Sequence, residues 1–102
     1  MITGKEKISD CLQRVRYRYS LAEAVDATLL SKYADANTFD VSVYDARHLL
    51  PLARVTFQIQ HRDGTFLING AFGLRYVSIT YVRNHRLDIT RAAQEEVLAH
   101  LP

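Results

Sequence analysis

Tryptophan is absent from this chain of 102 residues, and cysteine and methionine each occur once. A lone cysteine, Cys11, cannot close an intramolecular disulfide, which excludes a disulfide-stapled scaffold and points away from an oxidising compartment. It also cannot build a structural zinc site, and His48, His61, His85 and His100 lie far apart in sequence. Four glycines and two prolines are too few for a collagen-like or low-complexity chain. Long apolar runs are missing as well. The longest, Leu49-Leu50-Pro51-Leu52-Ala53, is far short of the ~20 residues of a membrane helix. Residues Met1–Lys7 lack the apolar stretch of a secretory signal, so a cytoplasmic location with no membrane partner is expected. Excess charge of one sign is absent too: thirteen Lys and Arg against eleven Asp and Glu leave +2, little for binding polyanions in bulk.

What is present suits one globular domain over 1–102. Apolar residues make up 48% and charged residues 24%, and a chain of this length buries roughly two-thirds of its unfolded surface. The modest net charge is unevenly placed. Residues 1–33 carry +2, residues 34–60 carry −1, residues 61–87 carry +3 and the remainder carries −2.

Arg14-Val15-Arg16-Tyr17-Arg18-Tyr19 alternates basic and apolar with the period of a half-buried strand. A helix over 5–18 competes, with Ile8, Cys11, Leu12 and Val15 on one stripe, so residues 1–10 are expected as a short helical or irregular lead-in. Ser20-Leu21-Ala22-Glu23 matches a capping box, and Leu21, Val25, Leu29 and Tyr33 follow at four-residue steps. The spacing predicts a helix over 21–34. Strands are expected around Phe39–Tyr44 and Val55–Gln60, with a loop at Arg47–Pro51 between them. Asp63-Gly64 signals a hairpin back through Thr65–Ile68, and Asn69-Gly70 a second turn. A long strand over 73–83 follows, with Gly73 as a bulge at its start. Asp88 or Thr90 caps a last helix that carries Ala93, Val97, Leu98 and Leu101. The predicted order is β-α-β-β-β-β-α: an α+β fold in which two helices cover one face of an antiparallel meander of about five strands.

Arg14, Arg16 and Arg18 fall on one face of their strand, about 7 Å apart. Three like charges in a row repel unless something answers them. The pattern also predicts Tyr44, Arg54, Gln58 and Tyr76 on that polar face, with Arg83 and Arg86 forming a basic corner at the end of the long strand. Arg forks grip carboxylates and phosphates alike, and tyrosine rings stack on unpaired bases. The bland alternative is a solvated sheet face, where Arg, Thr and Gln are ordinary occupants.

Other groupings carry less. His61-Arg62-Asp63 spells the kinase catalytic-loop triplet, but Ile68 stands where that loop needs Asn. Gly70-Ala71-Phe72-Gly73 spells a GxxG that lies between strands, not between helices. Cys11 reads as a small buried thiol on an apolar stripe. The order α-β-β-β-α over 21–101 has the outline of double-stranded RNA-binding domains. Their lysine cluster, however, is replaced here by Thr90-Arg91-Ala92-Ala93, and the likeness is not adopted. No nucleophile–base pair or carboxylate pair calls for an enzyme, and nothing calls for a cofactor or metal. The expected function is that of a small interaction or regulatory protein, of the inhibitor or immunity-protein kind. It would hold an acidic protein surface on the Arg/Tyr face, with single-stranded nucleic acid or RNA as the alternative partner. A free strand edge of the meander is the natural homodimer contact.

Overall fold

The computed structural model describes residues 1–83 and 87–101. The chain runs β1 (Ile2–Cys11), β2 (Arg14–Leu21), α1 (Ala27–Ser31), β3 (Phe39–Tyr44), β4 (Thr56–His61), β5 (Phe66–Ala71), β6 (Tyr76–Val82) and α2 (Leu87–Ala99). One antiparallel sheet has the strand order β1-β2-β6-β5-β4-β3. The α+β architecture is as expected, with six strands instead of five and β1 added ahead of the predicted order. No helix among the described residues is long and apolar enough to cross a membrane.

The added strand replaces the helical or irregular lead-in predicted for 1–10, and its pairing with β2 removes the competing helix over 5–18. β1 is an edge strand with nearly every side chain exposed. Neither of its faces needs apolar residues, so no alternation marks it. Leu12, placed on the supposed helical stripe, sits in the tight turn to β2 and is exposed.

The predicted helix over 21–34 shrinks to Ala27–Ser31. Leu21 ends β2, paired with Ile2, and its N–H donates to the Arg75 carbonyl at 2.7 Å. That commitment leaves the Ser20/Glu23 capping box unused. Asp26 caps instead, its Oδ1 accepting from the Thr28 N–H at 2.8 Å. Leu21, Val25, Leu29 and Tyr33 are all buried nonetheless. The four-residue period marks which side chains face the core, whether or not the backbone between them is helical. Residues 22–38 cross beneath the sheet from β2 to β3. Val25 is bonded to the β5–β6 turn through Val25 N–H to Leu74 O and Gly73 N–H to Val25 O, at 2.7 and 2.8 Å.

Asp63-Gly64 makes the predicted hairpin turn, with Gly64 at φ +80°. Asn69-Gly70 makes no turn, because both residues lie inside β5. A Cβ at Gly70 would stand 2.6 Å from Phe57 Cζ, so this glycine makes room for a ring. The turn falls two residues later, where Gly73 takes φ +91°. Gly73 is thus a turn residue, and no bulge; β6 is correspondingly shorter than 73–83. Asp88 lies in the first turn of α2 and Thr90 within the helix.

The inner face of the sheet is the core. Val15, Tyr17, Tyr19 and Leu21 of β2 line up with Val77, Ile79 and Tyr81 of β6, then Phe66, Ile68, Phe57 and Ile59. Leu29 and Tyr33 from the crossover and Leu98 from α2 close over them. Four of these residues are tyrosines whose hydroxyls need partners, and Tyr17 accepts from Arg91 Nη1 at 3.1 Å. Tyr19 donates to Glu95 Oε1 and accepts from Tyr81, both at 3.2 Å. Tyr33 donates to Gln94 Oε1 at 2.6 Å. Lys5 Nζ completes the cluster on Glu95 Oε1 at 2.8 Å, tying β1 to α2.

Burial raises the ionisation of Tyr19, Tyr33 and Tyr81 well above the ordinary tyrosine range. A raised native value means that only the unfolded chain releases these protons above pH 10, so stability is full below that pH and falls as pH rises beyond it. Each phenol adds a slope of about 1.4 kcal/mol per pH unit. Absorbance titration near 295 nm should show these three phenols ionising only together with loss of the fold by circular dichroism.

Candidate interaction face

Among the described residues no helix lies on the outer face of the sheet. The register that buries Val15, Tyr17 and Tyr19 turns Arg14, Arg16 and Arg18 the other way. Their β6 neighbours are Val82, Thr80 and Ser78, and their β1 neighbours are Cys11, Ser9 and Glu6. Ser78 stands beside Asn69, which pairs with Gln58, which pairs with Ser42. The next row runs Arg16, Thr80, Leu67, Gln60 and Asp40. The face therefore grades from cationic at β2, through uncharged and mostly hydrogen-bonding side chains, to a single carboxylate at the β3 edge.

Most of the expected residues share this face. Arg14, Arg16, Arg18, Tyr44, Gln58 and Tyr76 all occupy outward register positions. Arg54 departs from the prediction: it precedes β4, and its Nη1 lies 2.6 Å from where a Gly73 Cβ would stand. Its guanidinium packs against the β5–β6 turn because that glycine leaves the space. Arg83 also differs in role, since its Nη2 bonds the Asp10 carboxylate and its N–H bonds the Gln13 carbonyl. It fastens β6 to the β1–β2 hairpin. Arg86, the other half of the predicted basic corner, lies outside the described residues. Glu6 and Ser9, which flank Arg18 and Arg16 from β1, were hidden because β1 shows no hydrophobic period.

The arginines of β2 are among the cations with no ionic partner among the described residues. Ion pairs join Lys5 to Glu95, Lys7 and Arg83 to Asp10, Arg47 to Asp45, and Arg91 to Asp88. Among the described residues none reaches Arg14, Arg16 or Arg18. Arg18 lies over the Tyr76 ring, 4.7 Å from its centroid. Arg16 is half-buried, and its Nε is sealed from solvent with no hydrogen-bond partner. Asp45, at the β3 end, is already engaged: the Arg47 side chain donates to it and holds its carboxyl at about 2.

The remaining groups assemble no reacting centre among the described residues. His61 and Asp63 meet in the β4–β5 turn, Nδ1 to Oδ1 at 2.6 Å. Among the described residues no cluster of three or more His, Cys, Asp or Glu is placed to hold a metal ion. Cys11 is exposed at the β1 edge and not buried as expected, because β1 leaves both its faces open; its Sγ donates to the Arg14 carbonyl at 3.3 Å. A concavity of about 360 Å³ between Leu21, Val25, Leu29 and Leu101 presents Glu23 and Asp26 but neither His nor Cys. No family model, curated protein or solved structure matches the chain.

A guanidinium held with an unpartnered, sealed Nε contributes little to folding, and an isosteric apolar side chain avoids its desolvation. Urea unfolding of Arg16→Met should show stability unchanged or raised by up to about 1 kcal/mol. A clear loss would mean that the side chain is held by its own fold.

Proposed function

We propose that this chain acts by binding, seating the acidic surface of a partner protein on the outer face of its sheet. The observation that supports this reading is the row Arg14, Arg16 and Arg18, unpaired among the described residues on a face that no helix covers. Adjacent guanidinium groups raise one another's energy, and an arriving carboxylate relieves that repulsion while accepting a bidentate hydrogen bond. The neighbouring Ser78, Thr80, Asn69 and Gln58 supply neutral donors and acceptors of the kind that fill a polar rim. Such a role fits a small inhibitor, immunity protein or regulator, whose work needs one complementary surface.

Single-stranded nucleic acid is the competing occupant. Stacking of successive bases needs rings close together along a track. Tyr76 lies on β6 and Tyr44 on β3, with β5 and β4 between them. Three strand spacings separate them by about 14 Å, and Arg18 already covers Tyr76. Geometry and the small net charge both favour the protein partner.

Parallel affinity capture with the wild type and the Arg14→Ala/Arg16→Ala/Arg18→Ala variant tests this reading. Partners retained by the wild type should be lost by the variant and eluted from the wild type by moderate salt. Recovery of the same proteins by both would remove the arginine row as the site. Anisotropy titrations with mixed-sequence single-stranded DNA and RNA complete the test. Tight binding with a steep salt slope that the triple substitution flattens would put nucleic acid in place of protein.

A further inference from the structure

The sheet has two free edges, and they are built differently. β1 carries Lys5, Glu6, Lys7 and Asp10, and its pairing with β2 is interrupted between Ile2 and Gly4 and again between Lys7 and Ser9. Charges and bulges of this kind keep an edge from pairing with another strand. β3, Phe39-Asp40-Val41-Ser42-Val43-Tyr44, has one charge, no bulge in its ladder with β4, and exposed Val41, Val43 and Tyr44. We propose that β3 pairs with β3 of a second copy of this chain, joining the two sheets across a two-fold axis at Ser42.

The hydrogen-bond ladder fixes the register. The Arg62 N–H donates to the Thr38 carbonyl, so Thr38 and Arg62 form a bonded pair. Bonded and non-bonded pairs alternate in an antiparallel ladder. Asp40, Ser42 and Tyr44 therefore turn their backbone groups toward β4, and Phe39, Val41 and Val43 turn theirs outward. The Phe39 N–H is taken by the Asp35 carbonyl at 2.8 Å, which closes that end. The N–H and C=O groups of Val41 and Val43 remain. With the axis at Ser42, Val41 of each copy faces Val43 of the other, and all these groups are satisfied at once. Asp40 then lies opposite Tyr44, so no like charges meet. An axis at Val43 uses fewer of these groups, and one at Asp40 sets two carboxylates face to face. An isologous contact needs a self-complementary surface, and this edge has one.

The side chains agree. Val41 and Val43 point to the inner side of the sheet and stay exposed there. The connection after Tyr44 adds exposed Leu49, Leu50 and Leu52. A pair of six-residue strands is smaller than the interface of a tight dimer, so the association is micromolar, and not nanomolar. This contact is independent of the arginine row, which lies four strands away on β2.

Sedimentation velocity from low micromolar to several hundred micromolar should show the mass rising from 11.7 kDa toward twice that value. Val43→Pro removes only an outward N–H and leaves the β3–β4 ladder whole; with Val41→Lys it should abolish the rise while circular dichroism stays unchanged. Ser42→Cys in a Cys11→Ser background reads the register. Directly opposed non-bonded residues approach within disulfide reach, so mild oxidation should cross-link Ser42→Cys but not Asp40→Cys. A wild type that stays monomeric throughout overturns the proposal and leaves the edge to a strand from another protein. Dimers that survive both edge substitutions, or cross-linking at position 40 in preference to 42, overturn it equally.

Discussion

The pairing of β2 with β6 holds this molecule together, and both of its faces depend on one register. On the inner side the ladder sets Val15 beside Tyr81, Tyr17 beside Ile79 and Tyr19 beside Val77, all sealed from water. On the outer side it sets Arg14, Arg16 and Arg18 beside Val82, Thr80 and Ser78, none of which carries charge. A slip of one residue would drive three guanidinium groups into the core. The cost of burying an unpaired charge makes that alternative inaccessible. The same alternation that specifies the fold therefore also delivers a row of unanswered cations to the surface.

The core beneath this ladder is unusual in relying on tyrosine, and α2 supplies what the tyrosines need. Gln94 accepts from Tyr33, and Glu95 accepts from Tyr19 and Lys5. The residues after 87 carry net charge −2, yet two of their carboxylates, Asp88 and Glu95, are engaged within the molecule. Charge counted along the chain overstates what the surface presents, because ion pairs and buried acceptors remove members of both signs.

The sequence made side chains legible wherever one face of an element is buried and the other is not. β2, β4 and β6 announce themselves by alternation, and the outward placement of Arg14, Arg16, Arg18, Gln58 and Tyr76 follows directly. β1 was illegible because an edge strand exposed on both faces obeys no hydrophobic period. The helix over 21–34 was overread because core contacts at four-residue steps mimic a helical stripe in a crossover pinned by Val25. Asn69-Gly70 misled for a different reason: glycine serves close packing as well as turns, and Phe57 occupies the space. The positions of Arg54 and Arg83 were beyond reach of pattern reading, since each is set by a contact distant in sequence, Gly73 in one case and Asp10 in the other.

The crossover has a consequence for how the chain comes together. Val25 is anchored to Gly73 and Leu74, so the segment joining β2 to β3 has no seat until the β5–β6 turn exists. Strands β3 to β6 are joined in series and close small loops, whereas the β2–β6 ladder closes a loop of more than half the chain. Contacts so far apart in sequence repay their entropy late. The β2–β6 ladder is therefore the contact expected to close late, with the β3–β6 meander formed ahead of it. Pulse-labelled hydrogen exchange would register that as amide protection in β4 to β6 before β2. The arginine row thus gains its β6 neighbours Val82, Thr80 and Ser78 only when that long-range ladder closes.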